Sequence, residues 1–427
     1  MNYKNDLKER RDLLYYNSQH ISSDFVEIMK YIENYINNGD SDENVNSFMM
    51  KLEEFIQNEE LCSIFVAECR NVFVHFLLKV LKIDDLAINS LKIIKIITNN
   101  EQFICSEELF RAIVGLYFIG NEEVQKLVVF CIINNFSPYY NIILSSGIID
   151  DVFKMFEFLD VIDDYILIFC EKCIKQNLIT EMKMIRLILK YCVINFNNHF
   201  ASCLLLAVLQ FNLSKQEDIL KEAVSFGLLE VLQESLNVPE KSQCKQIISI
   251  MKIIQRFDEY SLFSSQDFFK KFNHFFDICD SSAKIICLEF VYNILPFYWD
   301  KLYESGFISK ISVLSYSEES SFELTTNIFD ILILFCQTNS DESIFKIFNK
   351  NILEEFINLL ESESVHKIIL LSELLITLIN LEPEFYFNLF EECKVIDSLK
   401  DLSNSDVDRI RECSNLVLNY IDKVMQE

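Results

Sequence analysis

Six asparagines stand at the ends of apolar helical stretches: Asn99 in IIKIITNN, Asn134 in VVFCIINN, Asn212 in LAVLQFN, Asn293 in LEFVYN, Asn380 in LLITLIN and Asn419 in NLVLN. Each amide offers a donor and an acceptor, the pair needed to hold a peptide backbone. The same amide can equally cap the helix end or tie down a loop. Phe130 stands four residues before Asn134, so helical spacing puts that ring and that amide on one face. No other constellation offers chemistry of comparable order. Cys170 and Cys173 form one CxxC with no second pair, inside an apolar helical stretch, and read as buried structural cysteines. The five histidines, His20, His75, His199, His274 and His366, show no ligand spacing. Phosphate loops, nucleophile elbows and zinc-protease helices have no match. Neither a catalytic role, a metal nor a cofactor is expected.

The elements that must carry the asparagines recur. Asn99, Asn134, Asn212, Asn293, Asn380 and Asn419 are separated by 35, 78, 81, 87 and 39 residues, one or two steps of about forty. A second register starts apolar helices at residues 71, 107, 147, 181, 227, 266, 306, 351 and 394, in steps of 34 to 46. Three of these starts are marked by Gly147, Gly227 and Gly306, in a chain of only six glycines. Glycine accepts the left-handed backbone that ends one helix sharply before another begins. A third register follows the asparagines. Pro138, Pro296 and Pro383, three of the four prolines, stop the long helix and open a short one. The repeat is therefore short helix, tight turn, middle helix, polar loop, long helix.

Composition agrees. Six glycines and four prolines in 427 residues leave little material for hairpins, and 51% apolar residues supply ample core. At 427 residues a single ordinary core is too small, but a repeat array has no such limit. The formal charge of −27 disfavours a nucleic-acid partner and favours a basic one. Fourteen cysteines without framework spacing and an N-terminus lacking an apolar signal core predict reduced thiols in the cytoplasm or nucleus. No apolar run is long enough to span a bilayer, so no membrane association is expected.

Three helices per forty residues, with glycine between the first two, resembles the armadillo repeat. The resemblance covers roughly residues 44–425. It implies an all-α fold, an armadillo-type right-handed superhelix (solenoid) of about nine to ten three-helix repeats over residues 41–427. Residues 1–40 form a leader with one helix, DFVEIMKYIENYI, and NNGDSDEN around Gly39 reads as a linker. In armadillo proteins the long third helices line a groove, and the asparagine near their end can hold an extended peptide. Asn99, Phe130, Asn134, Asn212, Asn293, Asn380 and Asn419 are the matching positions. Importin-alpha, an armadillo adaptor for nuclear localisation signals, pairs each such asparagine with a tryptophan four residues earlier. Here Phe130 is the nearest match, and Lys95, Val208, Glu289, Ile376 and Asn415 take the other places. The charged N-terminal stretch KNDLKERRDLL, with Lys4, Lys8, Arg10 and Arg11, stands where importin-alpha carries a basic segment. The expected function is a non-enzymatic adaptor whose groove takes an extended, basic segment of a protein partner, with nuclear import as its most specific form. The alternative is a scaffold subunit that docks through surface patches and leaves the groove empty.

Overall fold

A computed structural model describes residues 24–99, 105–158, 161–211, 215–237, 240–257, 263, 265–317, 321–338, 347–360 and 365–426. All regular structure among them is helical. The chain divides between Tyr191 and Cys192 into two compact units. The first holds α1 (24–38), α2 (Asp42–Ile56), α3 (Glu59–Val80), α4 (Asp84–Thr98), α5 (Glu107–Ile119), α6 (Glu122–Asn134), α7 (Tyr140–Ser146), α8 (Ile148–Phe158) and α9 (Asp164–Lys175). The boundary falls in α10 (Met182–Ile194). The second unit continues with α11 (His199–Gln210), α12 (Gln216–Ser225), α13 (Leu228–Ser235), α14 (Cys244–Gln255), α15 (Gln266–Ile278), α16 (Ser281–Glu304), α17 (Phe307–Leu314), α18 (Phe322–Thr338), α19 (Lys350–Leu360), α20 (Val365–Leu381), α21 (Pro383–Glu392), α22 (Val395–Leu402) and α23 (Asp408–Gln426).

Within each unit the long helices stack on their successors. In the first, α2 packs on α4, α4 on α6 and α6 on α9. In the second, the run is α11, α14, α16, α18, α20 and α23. Middle helices lie against the long ones: α5 on α6 in the first unit, and α15 on α16, α17 on α18, α19 on α20 and α22 on α23 in the second. The core is the seam between these layers. In α15, Phe268, Phe269, Phe272, Phe275 and Phe276 are all buried, and Phe272 and Phe276 meet Phe307 of the next middle helix at 5.5 and 5.1 Å between ring centroids. A helix buries such rings only because a neighbour supplies the opposite wall.

The glycine junctions take the expected conformation. Gly147, Gly227 and Gly306 have φ of 82°, 95° and 79°. The same left-handed junction occurs before α22 without glycine, at Lys394 with φ 61°. The helix expected to begin at residue 71 does not: α3 starts at Glu59 with Asn58 as its cap, whose side chain accepts from the Glu60 and Leu61 amides. Capping by an asparagine hidden in a polar run outweighed the apolar cue further on. Pro296 also behaves differently from a simple stop. The helical trace passes through it, and the non-helical residue is Tyr298, φ −135°, two positions on. Pro138 and Pro383 do open short helical turns.

The leader helix α1 packs on its neighbours. Ile32 and Tyr35 are buried, Tyr31 stacks on Phe48 of α2 at 4.0 Å, and Tyr35 meets Phe76 of α3 edge-on. Only three residues around Gly39 join α1 to α2.

Glycine content at these junctions is thus a conformational requirement with an energetic size. A Cβ at Gly306 meets nothing closer than 3.9 Å, so Gly306→Ala has only backbone strain to bear. It should lower unfolding free energy by about 1–2 kcal/mol in chemical denaturation. Lys394→Gly should shift stability the opposite way by up to about 1 kcal/mol. Equal responses at both sites would contradict the shared junction geometry.

Candidate protein-binding face

The C-terminal ends of the long helices carry the asparagines singled out by their spacing, and the structure treats them unequally. Asn99 caps α4 and Asn134 ends α6. The Asn134 amide donates to Asn99 Oδ1 at 2.7 Å and to Thr98 Oγ1 at 3.2 Å, joining the two helix ends. Asn293 is exposed, and its amide donates to the Glu289 carbonyl of its own helix at 2.8 Å. Asn380 accepts from the Tyr420 hydroxyl of α23. Asn419 is exposed and lines a shallow cleft on α23 with Asn415, Tyr420 and Lys423. Asn212 lies outside the described residues, as do the N-terminal Lys4, Lys8, Arg10 and Arg11.

Phe130 is half-buried, and its face is already covered by a cation. Lys95 Nζ of α4 sits 4.2 Å from the ring centroid. Lys95 stands four residues before Asn99, so the position that matches a tryptophan in importin-alpha supplies here the ammonium that such a ring would accept from a ligand. Phe130 also packs against Tyr165 of α9 at 5.6 Å, and Lys126 lies over the Tyr165 ring at 5.4 Å. Lys95, Phe130 and Tyr165 therefore form one row across three successive long helices. Tyr165 carries no periodicity signal beyond core spacing, and sequence reading passed over it.

Asn135, next to the selected Asn134, was also passed over. It is buried; its Oδ1 accepts from the Cys105 amide at 3.1 Å and its Nδ2 donates to the Cys131 carbonyl at 3.0 Å. Of the doublet, one asparagine braces the loop and the other faces outward. Lys172 of α9 donates to the Ile133 carbonyl of α6 at 2.7 Å, placing a positive charge at a helix C-terminus where unpaired carbonyls accumulate. Partial burial lowers the Lys172 ammonium below its usual range.

Polar pairs also join successive long helices within each unit. In the first unit Asn89 meets Asn46 and Lys92 reaches Glu123 at 3.7 Å. In the second, Lys252 donates to Glu289 at 2.5 Å, Lys367 to Asp330, and Gln337 to Glu373 at 3.2 Å. A separate cleft of about 650 Å³ opens between α1 and α2. Its lining combines Asp24, Glu27, Asp40 and Glu54 with Tyr31 and Phe55, and has one lysine, Lys51.

Cys170 and Cys173 are fully buried, and burial pushes both thiols up, which favours their protonated form. Among the described residues no cluster of His, Cys, Asp and Glu has metal-holding geometry. No single described helix is long and apolar enough to cross a membrane.

Stacked helical repeats with a left-handed junction between short and middle helices define an armadillo-like, all-α solenoid fold. Solved structures agree. An engineered protein from the Northeast Structural Genomics Consortium superposes with a TM-score of 0.63 and 14% identity over 92% of this chain and 98% of its own. A structure concerning the phosphorylation switch between cadherin and beta-catenin matches with a TM-score of 0.55 and 13% identity over 94% of this chain and 86% of its own. A designed armadillo repeat protein aligns over 59% of this chain at a TM-score of 0.37, too low to carry weight. No family model matches the sequence, and neither does any curated protein.

Tyr165 makes the row testable by pH. Burial first, then the Asp163 carboxylate beside it, raises its phenol to about 12. The unfolded chain releases that proton near pH 10 and the folded chain only near pH 12, so stability falls between those values. In alkaline unfolding followed by circular dichroism, Tyr165→Phe should flatten this part of the decline. An unchanged slope would mean that Tyr165 is not held as described.

Proposed function

We propose that the chain is a non-enzymatic protein-binding scaffold whose long-helix face takes an extended, basic segment of a partner. One observation carries this reading: 65 acidic against 38 basic residues. Even if every cation were paired with a carboxylate, 65 − 38 = 27 carboxylates would have no cationic partner. Lysines of the long-helix face, among them Lys92, Lys252 and Lys367, are already spent on pairs between neighbouring helices. A basic segment answers that surplus, and the exposed amides of Asn293 and Asn419 offer backbone hydrogen bonds beside it. The neighbour structure named for the interaction of cadherin with beta-catenin gives a precedent for a protein partner on this fold. Nuclear-import adaptor activity is the most specific form of the proposal, with the cytoplasm and nucleus as its setting. In that form a signal lysine would compete with Lys95 for Phe130.

A second reading has its own support. Asn134 with Asn99, and Asn380 with Tyr420, are already engaged across helices, which suits a scaffold that docks through other surfaces.

The two readings separate in a titration. A labelled lysine- and arginine-rich peptide should bind, with its Kd weakening about tenfold or more between about 50 mM and 500 mM salt, and a glutamate-rich peptide should not bind. Binding that ignores salt removes the electrostatic basis of the proposal. The double variant Asn134→Ala, Asn293→Ala should weaken the peptide further; unchanged affinity would transfer the site to another surface.

A further inference from the structure

Two cysteines eight residues apart, Cys279 and Cys287, meet where α15 turns into α16, with Cys244 nearby. Cys279 ends α15 and has extended backbone, φ −61° and ψ 140°. Its Sγ lies 4.0 Å from Sγ of Cys287, two turns into α16. Cys244, at the start of α14, donates to the Glu240 carbonyl at 3.5 Å, and its thiol is electrostatically coupled to that of Cys279. Cys244 and Cys287 are fully buried, and Cys279 is 5% exposed. Asp280 caps α16 beside them, accepting from the Ala283 amide and the Ser282 hydroxyl at 2.7 Å each. Cys170 and Cys173 both lie inside one helix, α9, where neither can move without breaking helical bonds. Cys279 sits at the helix C-cap, where its amide still donates to the Phe275 carbonyl at 3.3 Å but its own backbone has left the helical conformation.

We propose that Cys279 and Cys287 form an oxidisable dithiol, converted to a disulfide by a hydroperoxide, with Cys244 as a third thiol able to exchange into the bond. The Cys279 sulfur, as the thiolate, attacks one oxygen of hydrogen peroxide. The S–O bond forms, the O–O bond breaks, and hydroxide leaves and takes up the released proton as water. The Cys287 sulfur then attacks the sulfenyl sulfur. The S–S bond forms, the S–O bond breaks, and a second water leaves carrying the Cys287 proton. Two electrons pass from the thiols to one peroxide. Closing the bond needs the sulfurs to approach by about 2 Å, and the extended segment at Cys279 supplies that movement. The product ties the end of α15 to the second turn of α16, the long helix that carries Glu289 and Asn293.

The Cys244 contact lowers the Cys279 thiol, but the Cys287 contact and burial outweigh it and raise the thiol on balance; Cys244 is raised by its contact with Cys279 and by burial. The oxidation rate should therefore rise with pH, by up to about tenfold per unit, across the range where the thiolate fraction is small.

The test is peroxide titration of the folded full chain, followed by non-reducing peptide mapping. A Cys279–Cys287 cross-link with a mass loss of about 2 Da is expected, and Cys170 and Cys173 should stay reduced. In Cys287→Ser, a dimedone adduct should appear at Cys279, or a bond to Cys244. Circular dichroism confirms that the variant is folded. The proposal is overturned if Cys279 and Cys287 stay reduced at peroxide levels that oxidise the part-exposed Cys203 and Cys413. It is equally overturned if the cross-link forms only in denaturant, or if the pH profile is flat.

Discussion

Every helix in this chain leaves one apolar stripe that it cannot bury alone, and the fold is the set of neighbours that cover those stripes. In α15 five phenylalanines point into the seam, and they are dry because α16 and α17 close over them. Burial of a side chain of that size contributes on the order of 2–3 kcal/mol, so the seam outweighs any polar contact described above. Because the wall always comes from an adjacent repeat, interactions stay between neighbours, and cooperativity passes along the stack step by step. The stack also fixes where surface chemistry can occur, since each long helix presents to solvent only the strip that its neighbours leave uncovered.

On that strip, side chains from equivalent positions of successive helices meet. The pairs Asn46 with Asn89, Lys92 with Glu123, Asn99 with Asn134, Lys252 with Glu289, Asp330 with Lys367, and Asn380 with Tyr420 join residues 31 to 43 apart, one repeat each. Helices in contact lie roughly 8–10 Å apart, within reach of two long side chains. Exposed ion pairs contribute only about 0–1 kcal/mol, so these rungs add little stability. Their consequence is geometric. They hold neighbouring helices in register and consume the lysines that would otherwise soften the acidic surface.

Much of this was legible in the residues. Gly147, Gly227 and Gly306 mark junctions that need a left-handed residue, and scarcity made them visible. Lys394 takes the same conformation with no such mark, because packing can impose about 1–2 kcal/mol of backbone strain that local sequence does not announce. The start of α3 was misplaced for a related reason: Asn58 sits in QNEE, a run that reads as loop until its side chain is seen accepting two amides. The site was less legible than the fold. Spacing picked Asn134 but could not tell it from Asn135, because the difference lies in the Cys105 loop, 30 residues upstream. It also paired Phe130 with Asn134 along one helix, whereas the contacts that define the ring's surroundings, to Lys95 and Tyr165, run between helices. Periodicity along a chain reports which face a residue occupies. It carries no information on which residue of the next repeat will face it.

That distinction bears on how the proposed face could select a partner. Phe130 is covered by Lys95, so a ligand cation there replaces an existing interaction and gains only the difference between two ammonium–ring contacts. Such an exchange contributes little affinity, since each contact is worth about 0.5–2 kcal/mol and one is lost as the other forms. The acidic surplus has no internal competitor, because cations run out before carboxylates do. Affinity on the proposed reading therefore resides in the diffuse field of 27 unmatched charges, and selectivity in the few directional groups beside it, the amides of Asn293 and Asn419. A partner with dispersed positive charge and an extended backbone satisfies both terms. One relying on a single deeply seated lysine satisfies neither.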